Sequence, residues 1–208
     1  MKLPYECCLP DDVWLYKLSD DKHARYGLGR MKKNGRSLLV CISSTPSYAE
    51  ANLLDPTVAI VNDVAKKYGY DGWVMFNLYP EKTPDWEKLS SKVALYHAEN
   101  IKIISRVFSA LCEQQKGKVT VWAAWGAVVE ARPYLKECLK DVLAALDNKR
   151  NTIAWKHIGA VVKGGIEHPR QPNPYRPNDV KKLTAFKVYG KGGYIDNYLS
   201  EPESETQP

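Results

Sequence analysis

Four short segments hold the residue types in this sequence that could do chemistry: Ser44-Thr45-Pro46-Ser47, Asn77-Leu78-Tyr79-Pro80, Trp125-Gly126 and His168-Pro169. A hydroxyl-rich loop offers O–H and backbone N–H donors to an anion or a carbonyl. An Asn closing an apolar strand presents amide donors and an acceptor, a pattern that suits the edge of a nucleobase. Gly126 marks a point where the chain approaches something closely. A loop His can stabilise developing negative charge or bind phosphate. Each also has a plainer reading: a capped turn, an amide that pins two loops, a glycine against a helix, a solvated imidazole. Their common position raises them above it. Each follows an apolar run, at 38–42, 72–75, 119–122 and 158–162. Loops leaving the carboxyl ends of strands in an open parallel sheet converge on one crevice. Pro46, Asn77, Gly126 and His168 are therefore expected to face one pocket.

The elements that must position them follow from periodicity. Ser37–Ser43, Gly72–Leu78, Lys118–Trp125 and Ile153–Val162 read as buried strands. Val58, Val61, Val64 and Ala65 recur at helical spacing, with Asp55-Pro56-Thr57 as cap and first turn and Gly69 as the stop. Leu95–Gln115 and Val128–Leu146 read as two further helices, the latter interrupted by Pro133. Val13–Tyr16 and Arg25–Arg30 are expected as short strands, the first at an edge, and Lys32–Arg36 as a turn. Glu167–Pro177 is expected to be irregular, with a short helix over Asp179–Leu183. Strands alternating with helices give an α/β fold, a three-layer αβα domain with a mostly parallel central sheet of about four strands. Residues 1–199 are expected to form this single domain and 200–208 an acidic disordered tail.

Composition narrows the function classes. The 208-residue chain is 44% hydrophobic and 26% charged, as expected of one globular domain. No apolar run approaches the roughly 20 residues that cross a bilayer, and Met1–Pro10 lacks the apolar core of a secretory signal. Five scattered cysteines (Cys7, Cys8, Cys41, Cys112 and Cys138) read as reduced thiols, consistent with a cytoplasmic location. His23, His97, His157 and His168 have no metal-ligand spacing with Cys or Asp, and there is no Walker loop, dinucleotide fingerprint or nucleophile elbow. No metal or cofactor is expected. The net charge of +6 is uneven: residues 149–193 carry ten Lys/Arg against Glu167 and Asp179. That basic zone, interleaved with aromatic residues, fits phosphate or nucleic acid as partner, and equally a solvated face.

The ordered set Arg25-Tyr26, Thr45-Pro46-Ser47-Tyr48-Ala49, Asp55-Pro56-Thr57, Gly69-Tyr70-Asp71-Gly72, Asn77-Leu78-Tyr79-Pro80, Trp125-Gly126 and His168-Pro169 resembles the pattern of a family of uncharacterised proteins, domain of unknown function 1643. It departs from that pattern at Thr45, where the family has Asn, and at Asp71, which separates Tyr70 from Gly72. More distantly, the order and placement are similar to the uracil-DNA glycosylase superfamily. This second resemblance implies that Thr45, Pro46 and Ser47 form a water-orienting loop, that Asn77 reads the base and that His168 stabilises the departing base. Thr45 is a weak base, so Asp55 is the other candidate for holding water. Arg170 stands where the glycosylase pattern has Ser, and suits a phosphate.

These readings combine into a pocket for a nucleobase or nucleotide. Asn77 reads the base edge, Tyr48 or Tyr79 stacks on it, and Ser47, His168 and Arg170 meet phosphate or sugar. Two outcomes stay open: an N-glycosidic hydrolase acting on DNA or nucleotides, or a non-catalytic binder that sequesters a nucleotide signal in the manner of a phage counter-defence protein. An interaction module using the acidic tail is a third.

Overall fold

The computed structural model of the protein describes residues 6–9, 12–47, 49–50, 53–82, 94–115, 118–147, 149, 152–163, 165–172 and 182–199. Its strands are β1 (Glu6–Leu9), β2 (Asp12–Leu18), β3 (Arg25–Lys32), β4 (Leu38–Ser43), β5 (Gly72–Asn77), β6 (Val119–Ala124), β7 (Ile153–His157), β8 (Ala160–Lys163), β9 (Ile166–Pro169) and β10 (Thr184–Ala185). The helices are α1 (Pro56–Lys67), α2 (Ala94–Gln115) and α3 (Pro133–Asp147). One sheet of eight strands runs in the order β1-β2-β3-β5-β4-β6-β7-β10, and β8 and β9 form a separate antiparallel hairpin.

The four expected strands are the parallel centre of this sheet, β5-β4-β6-β7. The expectation of about four strands is corrected at the flanks. β1, β2 and β3 add an antiparallel meander on one side, and β10 pairs antiparallel with β7 on the other. The central strands are buried on both faces, so they read as continuous apolar runs. The expected strands Val13–Tyr16 and Arg25–Arg30 lie within β2 and β3, whereas β1 and β10, of four and two residues, are too short to carry a periodic signal. Val13–Tyr16 is not at the edge: β2 lies between β1 and β3.

Side chains alternate across the sheet with period two. Leu39, Cys41, Trp73, Met75 and Trp122 pack on one face against Val58, Val61 and Val64 of α1. Leu38, Val40, Ile42, Val74, Phe76 and Val121 pack on the other against Ile104 and Phe108 of α2 and Leu139 and Val142 of α3. This is the three-layer arrangement. Each fully buried aliphatic or Phe side chain stabilises it by about 1.5–3 kcal/mol. Cys41, Cys112 and Cys138 are free and buried; burial pushes the Cys138 thiol up to about 12. The side chains of Cys7 and Cys8 lie outside the described residues.

α3 starts at Pro133, which fits a helix first turn because its missing N–H would be unpaired there anyway. The expected start at Val128 is instead a 3₁₀ turn, Ala127–Glu130, set off from α3 by the residues before Pro133. The expected fourth strand is broken. β7 ends at His157, Gly159 adopts φ 65°, and the chain turns into the β8–β9 hairpin. His168 is therefore a strand residue and not a loop residue. The expected helix over Asp179–Leu183 and the tail from 200 lie almost entirely outside the described residues; Leu183 is not helical. Among the described residues, no helix is long and apolar enough to cross a membrane.

Candidate functional site at the carboxyl end of the sheet

The loops after β4 and β5 leave the sheet together. Backbone pairing continues past the strands, with the Leu78 and Tyr79 N–H groups donating to the carbonyls of Ser43 and Ser44 at 2.8 and 2.9 Å. Asn100 of α2, fully buried, donates through Nδ2 to the Asn77 and Leu78 carbonyls at 2.9 and 3.4 Å. The end of β5 is thereby fixed from the α2 side.

A bulge in β3 brings a cation to the same place. Lys17 pairs with Gly27 but Leu18 pairs with Arg25, which leaves Tyr26 as an extra residue. Bulges bend a strand and re-aim its side chains. Gly27 faces Leu15 and Phe76, on the α2–α3 side. Arg25 instead reaches the α1 side, where its Nη1 donates to the Ala49 and Ser47 carbonyls at 2.8 and 3.2 Å and its Nη2 meets Asn77 Oδ1 at 3.5 Å. Arg25 is 1% exposed. No carboxylate among the described residues forms an ion pair with it. Burial lowers its pKa to about 10, opposed by the fields of Tyr16 and Asp55, so it stays charged at neutral pH. Beside it, Ser47 Oγ and Asn77 Nδ2 are buried without a partner, and Asn77 is also only 1% exposed. Buried polar groups without partners are rare in folded proteins and cost about 1–3 kcal/mol each.

Asp55 does what a cap does. Its Oδ1 accepts from the Val58 N–H at 2.9 Å and its Oδ2 from the Ala49 N–H at 3.0 Å. It starts α1 and ties the 44–49 loop to that helix. Asp55→Ala removes both acceptors and is expected to cost about 1–2 kcal/mol, or about 2–8 °C of melting temperature. A melting curve unchanged within a degree would contradict this role.

His168 belongs to a different neighbourhood. It is 0% exposed, with Nε2 2.6 Å from Glu130 Oε1 and Nδ1 2.8 Å from the Tyr194 hydroxyl. Trp125 Nε1 donates to the same hydroxyl at 3.2 Å, and Lys163 lies 3.6 Å from Glu130 Oε2. One proton arrangement satisfies the chain: Trp125 N–H to Tyr194 O, Tyr194 O–H to Nδ1, and Nε2–H to Glu130. That makes the imidazole neutral. Burial lowers its pKa, outweighing the hydrogen bond and charge of Glu130. Burial also pushes the Tyr194 hydroxyl far up, so it remains a donor. Trp125 and Tyr194 sit in the core on the α2–α3 side, whereas Asn77 continues the alternation of Trp73 and Met75 on the α1 side.

The structure thus brings Ser47 and Asn77 together, with Arg25 between them, and sets His168 apart. Gln171 spans the gap by donating through Nε2 to Ser44 Oγ and, at 3.1 Å, to the Trp125 carbonyl. Gly126, at φ 71°, is indeed a point of close approach: its N–H donates to the Pro169 carbonyl at 2.8 Å, and a Cβ there would lie 2.7 Å from Gln171 Cγ. Pro46 is buried and Thr45 half-buried in the loop. Tyr79 turns into the core, its ring 5.3 Å from that of Tyr134 and its hydroxyl donating to Glu81 at 3.0 Å. Arg170 folds back on the hairpin, with Nη2 donating to the Ala160 carbonyl at 3.3 Å. Tyr48 lies outside the described residues. In the basic zone, Lys163 is paired with Glu130, and Lys187 Nζ donates to the Lys191 carbonyl at 2.5 Å. A cavity of about 720 Å³ lies beyond the hairpin, lined by His157, Glu167, Phe186 and Lys187 among others. Among the described residues, no group of three or more His, Cys, Asp or Glu could hold a metal ion.

Arg25, Asn100, Glu130, Gln171 and Tyr194 escaped the sequence reading of the site. Two left a signal. Arg25 heads the Arg25-Tyr26 pair of the family pattern, and Asn100 shares the apolar stripe of Ile104, Phe108 and Leu111. Glu130 and Tyr194 meet His168 from 38 and 26 residues away, and spacing alone cannot pair them.

By its layers the protein is an α/β protein with a mixed sheet and a polar cluster at the carboxyl end of its parallel centre. Residues 25–170 match the model of the family described as "Protein of unknown function (DUF1643)", and the chain belongs to that family. Comparisons with curated proteins and with solved structures gave no match.

Proposed function

We propose that the protein binds a nucleobase or nucleotide at the carboxyl ends of β4 and β5, with Asn77 contacting the base. The observation that carries this reading is the Asn77 amide, 1% exposed, with its Nδ2 unpartnered beside the charged Arg25. A ligand acceptor placed there recovers the cost of the orphaned donor. The order of Pro46, Asn77, Trp125-Gly126 and His168-Pro169 resembles that of the uracil-DNA glycosylase superfamily, which supports the same ligand class.

Binding without turnover is the form of the reading that the remaining residues favour. Both Asp55 oxygens hold backbone N–H groups, and both His168 nitrogens hold protein partners. Neither is poised to activate water or meet a departing base, and Thr45 is neutral. Sequestration of a nucleotide follows naturally from such a site.

The test is calorimetric titration with a panel of nucleoside monophosphates and single-stranded DNA, with free base measured in parallel. Tight binding with no base release is expected. Asn77→Ala should weaken binding by about 5–150-fold, equivalent to 1–3 kcal/mol. Base release that depends on His168 would instead establish a hydrolase. An affinity unchanged by Asn77→Ala would remove that residue from the site.

A further inference from the structure

We propose that Arg25 is the positioning residue for the Asn77 amide, and that it restricts the site to bases carrying a keto oxygen at pyrimidine C4 or purine C6, where cytosine and adenine carry an amino group. The inference rests on Asn77 contacting the base, as proposed above. A free Asn amide can turn either its oxygen or its NH₂ toward a ligand, and so accepts keto and amino edges alike. This one cannot. The guanidinium has only donors, so it holds Oδ1 and repels the NH₂ group. Rotation of the amide would place N–H against N–H in a buried site. The guanidinium is itself held by the Ala49 and Ser47 carbonyls, on a strand that the bulge has re-aimed. The part of the amide left for a ligand is therefore Nδ2, the atom without a partner. Ser47 Oγ, also unpartnered, can donate beside it. The C4 keto oxygen of uracil or the C6 keto oxygen of guanine satisfies these donors. An exocyclic amino group of cytosine or adenine sets donor against donor.

The experiment is titration of the full chain with uridine, guanosine, cytidine and adenosine monophosphates and with inorganic phosphate. Wild-type protein should bind the uridine and guanosine nucleotides at least about tenfold more tightly than the other two, the factor that one good hydrogen bond supplies. In Arg25→Met the amide is free to turn, and the ratio should fall to about one. Arg25→Lys keeps a cation and should keep most of the preference, which a merely structural role would not require. Asn77→Asp replaces the donor by an acceptor and pairs with Arg25. It should retain the fold and lose the keto nucleotides at least about tenfold, so the proposal stays testable if Arg25→Met does not fold. A preference that survives in Arg25→Met or Asn77→Asp would overturn the inference. So would a wild-type preference for amino bases, or phosphate binding as tightly as the nucleotides with no base preference. These results leave nucleotide binding itself standing. No binding by any member of the panel would overturn both proposals.

Discussion

Gly72→Ala is expected to prevent the protein from folding stably. Gly72 opens β5 and pairs with Met31 of β3 on one side and Leu38 of β4 on the other. A Cβ there would lie 2.1 Å from the Arg30 carbonyl oxygen, 2.6 Å from Met31 Cα and 2.8 Å from Leu38 Cδ2. Two of these atoms are backbone of the neighbouring strand, so no rotamer change relieves them. β3 and β5 would have to separate at the junction of the meander and the parallel centre. Overpacking on that scale belongs at the top of the mutational range, about 4–5 kcal/mol or more, against a total stability of about 5–15 kcal/mol. The measurement is soluble yield and melting temperature, with a fall of more than about 10 °C expected. Gly69→Ala is the control. Gly69 has φ 74° with nothing within 4 Å of its Cβ position, so the cost is backbone strain alone, about 1–2 kcal/mol. Melting of Gly72→Ala within a few degrees of wild type would contradict the strand packing described here.

His168→Ala is expected to destabilise the protein by about 3–4 kcal/mol, lowering the melting temperature by about 6–16 °C. The substitution empties a site enclosed by Tyr194 and Tyr198, whose rings lie 5.7 and 4.9 Å from the imidazole. It also removes one partner each from Glu130 and the Tyr194 hydroxyl, which among the described residues keep only Lys163 and Trp125. The same residue sets a pH dependence. The folded state holds the imidazole neutral, with a pKa below its ordinary 6.5. On acidification the unfolded chain therefore takes up its proton first. The stabilisation is complete above about pH 6.5 and is lost as pH falls through the folded pKa, at up to about 1.4 kcal/mol per pH unit. His168→Gln keeps a donor and an acceptor but does not titrate, and should flatten that acid limb. Denaturant melts between pH 4 and 8 check the sign; a limb unchanged in His168→Gln would place the titration elsewhere.

The legible parts of the structure were those in which a local pattern determines the outcome. β4, β5 and β6 announce themselves as apolar runs because both faces are covered. The start of α1 follows from Asp55-Pro56, and the Gly126 contact from a residue without a side chain. Ser47 and Asn77 meet the same Arg25 guanidinium, because pairing carries the β4 and β5 loops out side by side. What stayed hidden depends on non-local geometry. Nothing near Tyr26 in sequence specifies the bulge that turns Arg25 to the α1 side, since the irregularity arises in pairing with Lys17 and Leu18. His168 looked like a loop residue because Glu167–Pro177 is rich in proline. The hairpin that buries it is completed by Ala160–Lys163, an apolar stretch easily taken for the end of β7. Its partners come from a 3₁₀ turn and from the C-terminal segment, so the imidazole serves packing on the α2–α3 side and not the Asn77 cluster.

The central claim is that a base docks on the Asn77 amide, and the side-chain NH₂ resonance of Asn77 tests it most directly. In ¹⁵N-labelled protein that pair of signals can be assigned by its disappearance in Asn77→Asp. Added uridine or guanosine monophosphate is expected to move it in a saturable way, at the concentration where calorimetry reports binding. If nucleotides bind while this resonance stays still and signals around the cavity near His157 and Lys187 move instead, the ligand lies elsewhere and the account of the strand-end site is wrong.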